Sequence, residues 1–186
     1  MAIPDRLNQY VETHKQRSFS KDFLSGWRSY ETWKDAVVGQ SRPAPRTFEI
    51  TAEDTVAYNK ACGETDRLMI DADYAREHSP TGELLQHPIF VTVIAFYSLG
   101  ECGIGTWIRT PGARNPNQRI EIVEPFRIGE VITTTVTTND KFMQRGKPYI
   151  EMLLEFRNAQ EVLRARWWCS LILPPTQDDV AGFANA

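Results

Sequence analysis

Residues 88–99 constrain the fold of this chain more than any other segment. They read PIFVTVIAFYSL, which is apolar on nearly all sides and begins with proline, a residue favoured in the first turn of a helix. The β-branched residues would equally suit a buried strand, but the length of the run favours a helix. We therefore expect one fully buried helix here.

The sequence after this helix alternates between apolar and polar residues, as strands with one buried face do. Residues 144–147 and 158–160 have the composition of hairpin turns. A sheet with one face to cover, and a single apolar helix to cover it, predicts an α+β fold in which a long antiparallel sheet wraps around that helix. The alternating segments are 119–125 running on through 130–143, then 148–157, then 162–173.

Shorter elements are expected ahead of the apolar segment. Thr51, with Asp54 three residues later, is a capping-box-like start and predicts a helix over 52–62. Gly63 closes this helix, because glycine tolerates the left-handed conformation that follows a helix end. Around it we expect a strand at 47–50, a loop at 64–70, a short helix beginning at 71 and, at the N-terminus, a helical extension over 1–36.

Charge and composition exclude several classes of function. The 186 residues carry 21 Lys and Arg against 24 Asp and Glu, a net charge of −3, so a generic polyanion binder is not expected. The apolar run falls short of the roughly 20 residues that cross a bilayer. The charged N-terminus lacks the apolar core of a secretory signal, so we expect a cytoplasmic protein. Three widely spaced cysteines suggest neither a disulfide framework nor a metal site.

The order of these elements resembles the hotdog fold of the MaoC-like dehydratases and (R)-specific enoyl-CoA hydratases. Two stretches support the resemblance: Tyr74-Ala75-Arg76 in the short helix, and Glu124-Pro125-Phe126-Arg127-Ile128-Gly129-Glu130 within the strand region. The chain is most similar to the N-terminal, non-catalytic hotdog of fatty-acid-synthase-type double-hotdog dehydratases. The resemblance covers a hotdog domain over 37–173 and leaves the helical extension over 1–36 unexplained; a C-terminal tail over 174–186 follows.

The resemblance also shows what this chain lacks. Catalytic members carry a Gly-Asp-x-Asn-Pro-aliphatic-His sequence after the first helix, and its Asp and His activate the water that adds to an enoyl thioester. The matching stretch is Gly63-Glu64-Thr65-Asp66-Arg67-Leu68-Met69, so Glu64 stands for the aspartate and Met69 for the histidine. Methionine has no titratable proton and cannot be a general acid or base near neutral pH.

A second departure lies at the start of the central helix. Catalytic relatives have His-Gly there, and the glycine N–H polarises the thioester carbonyl, whereas this chain has His87-Pro88. Proline has no N–H to donate. A lost donor of this kind typically costs about 2.7 to 4 kcal/mol of transition-state stabilisation. We expect His87 to be a capping or core residue rather than a catalytic base.

The resemblance therefore implies a hydro-lyase subunit that lacks the catalytic dyad. Such a subunit would pair with a catalytic hotdog, or with a second copy of itself, and help to shape the pocket for a coenzyme A or acyl-carrier-protein thioester. His87, Pro88 and Ile89, at the start of the central helix, are expected to contact substrate. No metal, redox cofactor or nucleic acid is implied.

Ligand phosphates would require a local basic patch in this acidic chain. We expect Arg145 and Lys147 at the first hairpin turn to contact the ligand, although solvated loop charges would explain each residue equally well. The two basic stretches are Arg109, Arg114 and Arg119 in the Gly- and Pro-rich loops after the central helix, and Lys141, Arg145 and Lys147 around the hairpin turn.

Two other functions stay open on the sequence alone. An active hydratase or thioesterase could use a relocated acid/base pair, made by Glu64 or Asp66 with His87. Alternatively, a self-associating protein could bind acyl-CoA without turnover. A catalytic hotdog encoded beside this chain would favour the subunit over the binding protein.

Overall fold

The computed structural model describes residues 11–18, 30–99 and 110–185. Within them, six strands form an antiparallel sheet in which β4, β5 and β6 are successive neighbours. β1 and β2 both pair with β4, and β3 pairs with β6 at the opposite edge. The strands are β1 (Ser41–Pro43), β2 (Phe48–Glu49), β3 (Arg114–Ile122), β4 (Val131–Gln144), β5 (Lys147–Arg157) and β6 (Leu163–Ile172).

Six α-helices accompany the sheet within the described ranges. The longest two, α2 and α5, carry the candidate site, and the others are short. Single 3₁₀ turns at Pro88–Phe90 and Gln177–Asp179 lead into the last two helices. The helices are α1 (His14–Ser18), α2 (Ala52–Ala61), α3 (Arg67–Ile70), α4 (Ala72–His78), α5 (Val91–Leu99) and α6 (Val180–Ala184).

The central apolar helix is confirmed, but it is not fully buried. One face of α5 packs on β2 and β4, where Ile94 and Ala95 are completely buried in the core cluster. On the opposite face, Ile89 in the preceding 3₁₀ turn and Phe96 are each 44% exposed. This second face is partly covered by the described residues, where the Phe96 and Trp167 ring centroids are 6.3 Å apart.

The alternating strands are confirmed with their expected faces. Ile132, Val136 and their alternate neighbours on β4 point into the core, as do Ile150, Met152 and Leu154 on β5. The hairpin turn between β4 and β5 lies at Arg145 and Gly146, which both have positive φ. This arrangement is the wrapped α+β fold that the pattern predicted.

The expectation that 119–125 continues into 130–143 is wrong. β3 ends at Ile122 and β4 begins at Val131, and the two strands lie at different places in the sheet. Pro125 cannot donate a ladder hydrogen bond, and Gly129 turns the chain with φ +87°. β3 also starts earlier than expected, within the Gly- and Pro-rich stretch, because an edge strand tolerates Pro116.

The capped helix ahead of the site is confirmed. Thr51 accepts a hydrogen bond from the Asp54 N–H, and Gly63 follows the helix with φ +83°. The loop expected over 64–70 is partly wrong, because α3 occupies Arg67–Ile70 and Asp66 caps it. An aspartate with a free carboxylate at that position starts a helical turn by accepting an N–H two residues on.

The N-terminal and C-terminal parts touch each other. Trp33 and Lys34 donate backbone hydrogen bonds to Pro174 and Pro175, and the Tyr30 N–H donates to the Gln177 side chain. Much of the expected helical extension lies outside the described residues, and the part that is described contains α1. No helix within the described residues is both long and apolar enough to cross a membrane.

Candidate functional site

Asn59 holds the candidate site together from inside α2. Its side chain is completely buried. Nδ2 donates to the carbonyl oxygens of Met69 at 2.7 Å and Leu85 at 2.9 Å, and Oδ1 accepts the His87 N–H at 3.0 Å. One amide therefore fixes the segment that matches the family's catalytic loop and the residue that precedes the central helix.

Glu64 and His87 face each other across this junction. His87 Nε2 lies 3.8 Å from Glu64 Oε1, and both side chains are partly exposed. His87 Nδ1 accepts the Ile89 N–H at 3.3 Å, so the proton of a neutral imidazole must be on Nε2, toward the carboxylate. His87 is thus the capping residue that the sequence predicted, and it also has a carboxylate partner.

Every backbone donor at the entrance of the central helix is absent or already used. Pro88 has no N–H. The Ile89 N–H is donated to His87 Nδ1, and the Phe90 N–H is donated to the His87 carbonyl at 2.9 Å. A thioester carbonyl placed at this helix start would find no backbone donor among these three residues.

Asp66 and Met69, in the same stretch as Glu64, make hydrogen bonds that stabilise the local fold. Asp66 is exposed, and its carboxylate accepts the Leu68 N–H at 2.9 Å as the N-cap of α3. Met69 is partly buried, and its carbonyl accepts the bond from Asn59. Glu64 is therefore the carboxylate of this stretch that faces His87.

An apolar groove of about 490 Å³ lies between α2 and α5, and we call it the α2–α5 groove. Tyr58 forms part of its wall, and the Tyr58 and His87 ring centroids are 6.0 Å apart. Burial raises the pKa of the Tyr58 hydroxyl despite a hydrogen bond with Thr92 that lowers it. At the other end, Lys15 of α1 makes a salt bridge with buried Asp54. The apolar lining is Phe48, Ala57, Tyr58, Ala61, Val93 and Phe96.

A second cavity, of about 580 Å³, lies on the other side of His87, and we call it the Gln86 cavity. Its floor includes Arg164, whose side chain is 8% exposed and pairs with Glu124 and Glu130. Burial raises the pKa of the Glu130 carboxyl, but hydrogen bonds from Asn158, Arg164 and the Arg127 N–H outweigh burial, and its pKa lies below the ordinary value. The cavity is lined by residues 81, 83–88, 122, 124–127 and 164.

Solved structures of similar shape support one fold. (R)-hydratase PhaJ1 from Pseudomonas aeruginosa matches with a TM-score of 0.62 and 16% identity, over 77% of this chain and 85% of that chain. The C-terminally truncated HadBC (3R)-hydroxyacyl-ACP dehydratase complex from Mycobacterium tuberculosis matches with a TM-score of 0.63 and 16% identity, over 75% and 98%. The MaoC-like dehydratase from Rhodospirillum rubrum gives 0.61 and 16%, over 77% and 97%.

The chain has the hotdog fold of the MaoC-like dehydratases. No family model matches its sequence, and no curated protein matches it either. The hotdog fold expected from the order of the elements is therefore confirmed by shape, at 16% sequence identity.

The basic residues proposed for phosphate binding are spread over the hotdog. Arg145 and Lys147 lie at the β4–β5 turn, whereas the Gln86 cavity lies near the opposite end of β4, about 40 Å of extended chain away. Arg114 and Arg119 lie on β3 rather than in loops, over the rings of Phe183 and Trp168 respectively. Lys141 lies over the Trp33 ring, and Arg109 is outside the described residues.

Sequence reasoning missed Asn59 and Gln86. Asn59 is a poor helix former inside α2, and that is the only local signal that its side chain is needed for something other than helix formation. The sequence around Gln86 does not indicate any role for its side chain, because the residues that surround it include the distant turn before β4. Within the described residues, no group of three His, Cys, Asp or Glu side chains could hold a metal ion.

Proposed function

We propose that this chain is a non-catalytic hotdog subunit of a hydro-lyase that acts on enoyl or 3-hydroxyacyl thioesters. The observation that carries the proposal is the entrance of the central helix. Pro88 offers no N–H, and the N–H groups of Ile89 and Phe90 are bonded to His87. A hydratase needs donors aimed at the oxyanion that develops on the thioester, and such donors are usually the largest single contribution to catalysis.

The acid/base groups support the same proposal. Met69 stands where the family has its histidine, and a thioether cannot transfer a proton. Asp66 caps α3, and the lone pair of His87 Nδ1 is occupied by the Ile89 N–H. Water activation by the family's arrangement is therefore not available in this chain.

Two surfaces support pairing with another hotdog. Phe96 on α5 and Ile89 in the 3₁₀ turn before it are each 44% exposed. Among the described strands, β3 has a neighbour on one side only, and such an edge invites another strand. One similar structure, HadBC, is described as a dehydratase complex. We propose a catalytic hotdog as the partner, with self-association as the alternative.

Reconstitution with a catalytic hotdog tests the subunit role. The partner is a chain that carries the Gly-Asp-x-Asn-Pro-aliphatic-His sequence, encoded beside this one. Together, the two should form a stable complex whose kcat/KM for coenzyme A or acyl-carrier-protein enoyl thioesters differs from that of the partner alone. A complex that fails to form, or that leaves kcat/KM unchanged for every acyl length, contradicts the subunit role and favours an acyl-CoA-binding protein without turnover.

The Glu64–His87 contact favours one second candidate, an active hydratase or thioesterase. With its proton on Nε2, His87 could donate to a thioester oxygen while Glu64 activates water. Turnover by the chain alone that disappears in both Glu64→Gln and His87→Ala would establish this function. Turnover that survives both changes would come from elsewhere, and Asp66→Asn would then be the next variant.

A further inference from the structure

We propose that α1 is a latched end wall of the α2–α5 groove, and that it limits the length of the apolar chain that the groove accepts. Lys15 of α1 and Asp54 of α2 form the latch. The inference rests on the proposed function, which supplies an acyl chain as the ligand. It gives a role to part of the N-terminal extension, which the resemblance to the MaoC-like dehydratases leaves unexplained.

The ion pair between Lys15 and Asp54 is the first observation. The two residues are 39 positions apart in the sequence, and their side chains are only 17% and 6% exposed. Among the described residues, Lys15 is the cation that pairs with Asp54, and its Nζ also lies 4.8 Å from the centre of the Phe48 ring. Leaving a buried carboxylate without its cation is unfavourable, so Asp54 holds Lys15, and with it α1, against the groove.

The second observation is that α1 is too short to be stable by itself. It has five residues, and isolated helices shorter than about 12 to 15 residues are marginal in water. Thr13 and Gln16 form a capping box at its start, in which each side chain accepts the backbone N–H of the other residue. This box orders the turn but does not attach it to α2. The attachment comes from contacts with the groove, among them the latch and the buried Thr13.

The third observation is that the lining of the groove changes from apolar to polar where α1 meets α2. Asp54 lies in the first turn of α2, and Tyr58 lies one turn later, about 6 Å along the helix axis. The Tyr58 ring faces His87, so a chain that enters beside His87 gains from each methylene that it buries on the apolar lining. That gain ends at α1. The polar lining residues there are Thr13, Lys15, Gln16 and Asp54.

Two states of α1 follow from this arrangement. With the latch closed, the groove accepts chains up to a fixed length. With the latch open, α1 leaves the groove and a longer chain continues past Asp54. A long chain must open the latch to bind, and by linkage an open latch favours long chains by the same factor.

Binding of a homologous series of straight-chain alcohols to the full chain tests the inference. The probes are hexan-1-ol to dodecan-1-ol, which are uncharged and contain no thioester. Their binding is followed by displacement of the neutral fluorescent dye N-phenyl-1-naphthylamine. In the wild type, affinity should rise about fourfold with each methylene up to a limiting length and then stop rising. In Lys15→Met, which keeps the aliphatic part of the side chain and removes its charge, the rise should continue beyond that length.

Three further variants separate the latch from a general loss of charge or stability. Asp54→Asn should extend the limit as Lys15→Met does, because it removes the ion pair but keeps an acceptor for the Thr51 hydroxyl. The double variant Lys15→Met/Asp54→Asn should bind like either single variant, since the same contact is already lost. Lys60→Met makes the same chemical change at an exposed position of α2, and it should keep the wild-type limit.

Hydrogen exchange of the Gln16 and Arg17 amides, which both donate to Thr13, follows α1 itself. These amides should exchange at least tenfold faster in Lys15→Met than in the wild type. In the wild type, bound dodecan-1-ol should accelerate their exchange and bound hexan-1-ol should not. This comparison of two alcohols needs no variant, so it decides the question even if a latch variant does not fold.

Four results would overturn the inference. They are no dye displacement by any alcohol, an affinity that rises without limit through dodecan-1-ol in the wild type, the same limiting length in the wild type and both latch variants, and equal exchange of α1 with the two alcohols. None of these readouts depends on catalysis, on a thioester or on the partner. Failure here therefore leaves the subunit proposal standing, and turnover by the chain alone would overturn the subunit proposal without changing the limiting length.

Discussion

Asn59 shows how a single side chain can determine the geometry of the candidate site. Its amide ties α2 to the loop at Met69 and to the helix entrance at Leu85 and His87. The Asn59 side chain is completely buried, and its partners are backbone groups of partly buried residues. Loss of the amide would remove all three bonds and leave a cavity in their place.

We predict that Asn59→Ala lowers the free energy of unfolding by about 2 to 4 kcal/mol, because unpaired buried polar groups are costly. Urea denaturation measures the change. Asn139→Ala is the matched control, since exposed Asn139 bonds only to Glu151 at the sheet surface, and it should change stability by less than about 0.5 kcal/mol. Equal effects of the two variants would contradict the role given to Asn59.

The lowered pKa of Glu130 predicts how the free energy of unfolding changes in acid. Its folded pKa is lowered, so its contribution to stability is present above the ordinary carboxyl pKa of 4.5 and is lost as the pH falls through the lowered folded value. Glu130→Gln should lower stability at pH 7 by about 1 to 3 kcal/mol and make the acid limb of the stability curve shallower. Urea midpoints between pH 7 and pH 2.5 provide the measurement, with exposed Glu77→Gln as control. A parallel downward shift at every pH would show that Glu130 acts by packing alone.

At the scale of elements, α5 is a helix with two different apolar faces. The face that carries Ile94 builds the core, whereas Ile89 and Phe96 on the other side are each 44% exposed. An apolar residue that is 44% exposed contributes little to the fold of the single chain. Its full burial would require a further surface against this side of the helix.

Ile89→Asp should therefore weaken association without unfolding the chain. We expect sedimentation equilibrium to show at least a tenfold rise in the dissociation constant, because burying a carboxylate in an apolar interface is unfavourable. Val38→Asp is the control, since Val38 is 52% exposed but lies before β1, away from α5. Equal dissociation constants for the two variants would remove α5 from the interface.

The β4–β5 turn carries conformational strain that a substitution can relieve. Arg145 has φ +52° and Gly146 has φ +72°, a turn geometry that favours Asn-Gly. Arg145→Asn should raise the free energy of unfolding by about 0.5 to 1 kcal/mol. Arg145→Ala keeps the Cβ strain, so it should give no such gain in urea denaturation, and an equal gain in both variants would point to removal of charge instead.

Local sequence predicted the elements of the fold better than their arrangement. The caps of α2, the apolar run of α5 and the alternation of β4 to β6 are local properties, and each was confirmed. β3 pairs with β6, which is far from it in the sequence, and no local pattern encodes that pairing.

At the scale of the whole molecule, the candidate site also combines local features that the sequence indicates with tertiary contacts that it does not. Met69 has no titratable proton and Pro88 has no N–H in any fold, so the proposed lack of turnover could be argued from the sequence. The Glu64–His87 contact and the unpaired amide of Gln86 arise from segments that meet only in the tertiary structure. The sequence allowed Glu64 and His87 to be named as an alternative acid/base pair. It contained no indication that the Gln86 amide would be unpaired.

The sheet and helix surfaces together predict that the chain does not act alone. β3 leaves one edge of the described sheet unpaired, and α5 exposes apolar side chains. Light scattering at micromolar concentration should give a mass above that of one chain, either alone or after addition of the catalytic hotdog. A stable monomer under both conditions would count against a subunit.

The rate of enoyl thioester hydration by the purified chain alone decides whether this hotdog has catalytic activity of its own. We predict that the wild type and the double variant Glu64→Gln/His87→Ala give the same rate, equal to that in buffer, for short and long acyl chains. The helix entrance offers no donor and Met69 offers no proton, so neither protein should stabilise the transition state. A wild-type turnover within a factor of about ten of the typical enzyme value of roughly 10 s⁻¹, lost in the double variant, would contradict the account.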